Sequence, residues 1–120
     1  MMREDKRDGF KVSYEGMDID VLLSANAQRV INEKEMVKSN VYGSVVSALD
    51  FVLDYKNKTE FGIVDQDNEY TVIAAINTEG INTFIDIIHI IDNTNVFVRQ
   101  GMKIVRIGDH FKNQYYPPVS

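Results

Sequence analysis

Phe84-Ile85-Asp86-Ile87-Ile88-His89-Ile90-Ile91 is the stretch on which the fold turns. Apolar side chains stand at both odd and even positions, so whichever way the pleat falls, each face of this strand carries a hydrophobic set. A strand of that kind belongs in the middle of a sheet, with neighbours on both edges and cover, at least in part, on both faces. Working outward from it, the chain from Glu60 to Ile107 is rich in β-branched and aromatic residues. It is cut by turn chemistry at Asp65-Gln66-Asp67-Asn68, Asn77-Thr78-Glu79-Gly80, Asp92-Asn93-Thr94-Asn95 and Gln100-Gly101. The spacing predicts five strands, about 60–65, 70–76, 82–91, 96–99 and 102–107, running as an antiparallel meander.

Before the meander come two helices. Val41, Val45, Ala48, Leu49, Val52 and Leu53 recur at helical spacing behind an N-cap at Ser39 or Asn40, with Ser44, Ser47, Asp50 and Asp54 on the opposite side. Tyr42, Val46 and Phe51 widen the apolar face. The helix breaks in Tyr55-Lys56-Asn57-Lys58, cations at the negative end of its dipole. A shorter helix runs from Ala25 to Lys34, capped by Ser24, with Ala27, Val30 and Ile31 sharing a face. Earlier still, Phe10, Val12 and Tyr14 and then Ile19, Val21 and Leu23 alternate with polar residues around Glu15-Gly16-Met17-Asp18, a β-hairpin. The expected fold is α+β: an N-terminal hairpin, a short and a long helix, then the meander, with both helices on one face of the sheet. Residues 10–108 form one domain, 1–9 a disordered N-terminus and 109–120 a flexible arm.

With 120 residues and no cysteine, one core holds the chain without disulfides. The charged opening Met1 to Asp8 has no apolar stretch behind it to act as a signal or a span, so the expected location is cytoplasmic, without membrane contact. A formal charge of −5 weighs against generic nucleic-acid binding. It is unevenly spread: residues 59–95 hold Glu60, Asp65, Asp67, Glu69, Glu79, Asp86 and Asp92 and no Lys or Arg, whereas 96–120 carry Arg99, Lys103, Arg106 and Lys112 against Asp109.

Chemistry-bearing residues are few. His89 and His110 are the only histidines, and neither has a second ligand at metal spacing, so no metal and no cofactor is expected. A lone histidine such as His89 in an apolar strand is most often a satisfied core or interface side chain. Asp86, three residues before it, falls on the opposite face of a regular strand, which removes an Asp86–His89–Asp92 triad. A two-residue loop at Gln100-Gly101 would put Phe97, Arg99, Met102, Ile104 and Arg106 on one face of a hairpin and leave Val96, Val98, Val105 and Ile107 for the core. Two arginines among apolar groups can grip phosphate or carboxylate, or stand solvated on an amphipathic strand pair; both readings stay open. Tyr115 and Tyr116 in the arm are candidate interface anchors, and folding back of the arm onto the domain is the equal alternative.

The order strand, strand, short helix, long helix, antiparallel meander resembles the small RelE/ParE-like toxins and phage-encoded relatives of the barnase–EndoU–colicin–RelE group. Ser24-Ala25-Asn26-Ala27-Gln28-Arg29-Val30-Ile31 is similar to the family helix that opens with His-Ala and carries an arginine a turn later. Asn26 or Ala25 stands where the family has its histidine, and Arg29 is one residue out of step. The resemblance implies a metal-independent ribonuclease, with Arg29, Arg99 and Arg106 holding phosphate and His89 or Tyr70 moving a proton, or an inactive relative. The leading expectation is different: a small acidic, non-enzymatic interaction module of the inhibitor or immunity type, encoded by a phage or mobile element. Its partner would be another protein or a second copy of itself, because a negative field steers such a module onto a cationic surface. RNA is a partner only under the ribonuclease reading. The two readings differ in one geometric requirement, since a nuclease needs its arginines to converge in one cleft.

Overall fold

A computed structural model describes residues 9–95 and 102–108. The hairpin forms as β1 (Gly9–Tyr14) and β2 (Met17–Leu23), joined by the two residues Glu15 and Gly16. Both have positive φ, 51° and 80°, the geometry of a type I′ turn, whose twist matches that of the strands it joins. Ser24 ends β2 and caps α1 (Ala25–Glu33), its hydroxyl accepting from the Ala27 N–H at 3.0 Å. Ala27, Val30 and Ile31 are buried. The long helix α2 spans Lys38–Val52, with Val37 as its N-cap and no side-chain cap bond. Ser39 and Asn40 therefore lie in its first turn, and the cations Lys56 and Lys58 fall beyond its last turn rather than on it. Val41, Val45, Ala48, Leu49 and Val52 are fully buried, whereas Val46 stands exposed.

Then come β3 (Glu60–Asp65), β4 (Tyr70–Glu79), β5 (Asn82–Ile91) and β6 (Lys103–Ile107). The six strands make one mixed sheet in the order β1-β2-β5-β4-β3-β6. As its two-sided pattern requires, β5 is internal, between β2 and β4. The meander is only partly realised: β3, β4 and β5 pair antiparallel through local turns, but β2 pairs with β5 in parallel and β6 pairs with β3 in parallel. The cause is general. Tight turns fix antiparallel neighbours, whereas strands joined through helices or long connections return in parallel, and no turn residue records which edge they reach. The expected strand 96–99 and its hairpin with 102–107 lie partly outside the described residues; what is described of the latter is an edge strand on β3. Within β6 the expected facing holds, with Val105 and Ile107 buried and Ile104 and Arg106 on the other side.

The register defines two faces. Phe61 and Ile63, Val72, Ala74 and Ile76, Ile85, Ile87 and Ile90, Ile19, Val21 and Leu23, and Val105 join the helices in one core. The sheet curls around α2. The Tyr42 ring of α2 packs on Phe10 of β1 with centroids 4.4 Å apart, while Ser44, two residues on, reaches Asp65 of β3. Three strands separate β1 from β3, about 19 Å on a flat sheet, more than one helix width could bridge. Among the described residues no helix is long and apolar enough to cross a membrane.

Candidate functional site

Where α2 meets the β3–β4 turn and the end of β6, a cleft of about 270 Å³ opens, lined by Ser39, Asn40, Gly43, Ser44, Ser47, Asp65, Asp67, Asn68, Ile107 and Gly108. Its floor is a buried polar chain. Ser44 Oγ donates to Asp65 Oδ2 at 2.5 Å, and Tyr70 Oη lies 3.1 Å from Ser44 Oγ. Asn68 donates twice more to the same carboxylate, from its backbone N–H to Oδ1 at 3.0 Å and from Nδ2 to Oδ2 at 2.8 Å. With the single Ser44 proton given to the carboxylate, the Tyr70 hydroxyl is the donor to Ser44. Burial pushes the Tyr70 phenol up from 10.0 to about 12; the bond to Ser44 opposes that shift and the Asp65 charge adds to it. Tyr70 is thus a firmly protonated donor, not a base.

The cleft rim depends on a glycine. Gly108 has φ 126°, and a Cβ there would come 3.2 Å from the Asp67 backbone nitrogen, so any side chain would be both strained and tight against the turn.

The other named candidates distribute as follows. Arg29 and His89 come together at the start of α1, bridged by Asn26. Its Nδ2 lies 2.6 Å from His89 Nδ1, and its Oδ1 accepts from Arg29 Nη2. Arg29 also pairs with Glu33 at 3.3 Å. Arg106 is at the far edge of the sheet, on β6, on the face away from the helices. Tyr70 is in the cleft floor, apart from both. Arg99, Tyr115 and Tyr116 lie outside the described residues. The strand β5 also departs from regular alternation: Ile73 faces His89 but Ala74 faces Ile87, so Ile88 is an extra, bulged residue. Asp86 and His89 consequently share a face, contrary to the regular-strand expectation, and each has its own partner, Asn77 for Asp86 and Asn26 for His89.

Ser44, expected on the polar side of the long helix, is instead buried, and Asp65 was read only as a turn residue of an acidic stretch, although a signal for each exists. Ser44 continues the stripe Val41, Val45, Ala48 at helical spacing, and Asp65 shares period-2 parity with Phe61 and Ile63. Both therefore sit on core-facing positions. Comparison with family models, curated proteins and solved structures finds no match to this chain.

Proposed function

We propose that this chain is a non-enzymatic acidic interaction module whose cleft between α2 and the β3–β4 turn receives a cationic group from a basic protein partner. The observation that carries the reading is the make-up of the cleft: two carboxylates, three serine hydroxyls and two asparagine amides line it, and among the described residues no Lys, Arg or His does. Such a lining offers acceptors and negative potential to a guanidinium or ammonium group and repels phosphate. Ser44 is poorly suited to be a nucleophile, because it is buried, its proton is held by Asp65 and no imidazole among the described residues lines the cleft. The ribonuclease reading needs converging arginines, and Arg29 and Arg106 stand on separate elements on different sides of the sheet.

The test is a titration of 15N-labelled protein with an arginine-rich peptide. Amide shifts should concentrate at Gly43, Ser44, Asp67 and Asn68, weaken with added salt as screening predicts, and shrink in Asp67→Asn, a change at an exposed position. Shifts that map elsewhere, or persist unchanged in Asp67→Asn, would remove the cleft as the docking site.

A further inference from the structure

The seam between α1 and the bulge of β5 is held by three consecutive contacts. The Ser24 N–H donates to the Ile87 carbonyl at 2.9 Å, the Ser24 hydroxyl to the Ile88 carbonyl at 2.7 Å, and Asn26 meets His89. The third contact has a direction that can be derived. A guanidinium has donors only, so the oxygen of the Asn26 amide must be the atom that faces Arg29. The amide nitrogen then faces His89, and because it too is only a donor, Nδ1 of the ring must accept. The neutral ring therefore carries its proton on Nε2. A protonated ring has N–H groups at both positions and offers nothing to the Asn26 nitrogen. A half-turn of the amide restores a bond, Nδ1–H to Oδ1, but turns its N–H₂ group toward the guanidinium, leaving two donors face to face.

We infer that His89 and Asn26 form a pH-responsive latch on Arg29, in which protonation of the imidazole reverses the Asn26 amide and releases the guanidinium. In the neutral state Arg29 is tied to both Asn26 and Glu33; in the protonated state Glu33 alone holds it. The charged groups nearest along the elements that meet at the ring are Arg29, with its partner Glu33, on α1, Asp86 on the same face of β5 and Asp92 just beyond the end of that strand; β4 places Ile73 opposite it. Among the described residues, the one hydrogen-bond partner of Nδ1 is the Asn26 amide. The inference is independent of the cleft and of what docks there.

Long-range 1H–15N correlation of the His89 ring and side-chain 15N spectra of Asn26 and Arg29, followed through an acid titration of the whole chain, test it. At neutral pH the ring should show the Nε2–H tautomer, and the Asn26 amide and Arg29 Nε resonances should move with the same midpoint as the ring. In Asn26→Ala, a change compatible with the first turn of a helix, the ring should still titrate while Arg29 no longer follows it. A neutral ring protonated on Nδ1, or an Arg29 that tracks the ring equally well in Asn26→Ala, would overturn the latch.

Discussion

Ser44 has one proton and three oxygen neighbours, the carboxylate of Asp65, the hydroxyl of Tyr70 and the carbonyl of Asn40 at 3.1 Å. The ionised oxygen at 2.5 Å takes it, and everything else in the cleft floor follows from that assignment. Tyr70, left as the donor, holds its proton to about pH 12 in the fold, whereas the unfolded chain releases it near 10. A folded pKa above the unfolded one contributes stability that is complete below about pH 10 and is lost as pH rises toward 12. Urea midpoints measured across that window should fall more steeply for the natural chain than for Tyr70→Phe; parallel slopes would mean that the hydroxyl is solvated in the fold. Leu49, fully buried on the same helix, tests the apolar side of the α2 contact. Leu49→Ala should cost about 2–5 kcal/mol in urea melts, since a leucine removed from a filled core leaves a cavity. Leu49 was legible from helical spacing alone. Ser44 was not, because a serine between apolar positions reads as polar surface unless its stripe is given more weight than its chemistry.

At the level of elements, local signals translated well and long-range ones poorly. The cap of α1, the pairing of β1 with β2 and the limits of β3 and β5 follow from residues close in sequence, such as Ser24 and the alternation on either side of Gly16. The β5 bulge did not. Regular alternation groups Ile85 and Ile87 with Ile91, or Phe84 and Ile88 with Ile90, whereas one extra residue at Ile88 sends Ile85, Ile87 and Ile90 to the core together. A run of isoleucines supports every register equally, so only packing against β4 and α1 selects one. The parallel pairings of β2 with β5 and of β6 with β3 were likewise unreadable, because no residue in these strands specifies a parallel partner. The β1–β2 turn gives a prediction at this scale. Glu15 sits at φ 51°, where a residue with a full side chain is disfavoured and Asn or Gly is at home. Glu15→Asn should stabilise the protein by about 0.5–1 kcal/mol. No change in the denaturation midpoint would place the strain elsewhere in the hairpin.

For the molecule as a whole, a central strand apolar on both faces raises the question of self-association. Two helices cover one face of the six-stranded sheet, and a second copy of the chain is the simplest cover for surplus apolar surface on the other. The exposures argue against it. On the face away from the helices Val64 is 0% exposed, Phe84 7% and Ala75 9% within the single chain, and Ile73, Ile91 and Ile104 are half-buried. Ile88, in the bulge, is exposed, but a lone isoleucine is far from the contiguous several hundred Å² that mark an interface. Ile81, the most exposed apolar side chain among the described residues, is isolated at the tip of the β4–β5 turn, next to Gly80. A formal charge of −5 adds mutual repulsion between copies. Sedimentation equilibrium at micromolar concentration should therefore return a monomer of 13.7 kDa. Dimerisation that strengthens with salt would reverse this conclusion, because screening the charge would then have exposed an apolar contact; Ile88→Lys, placed at the exposed bulge, would show whether β5 is where the copies meet.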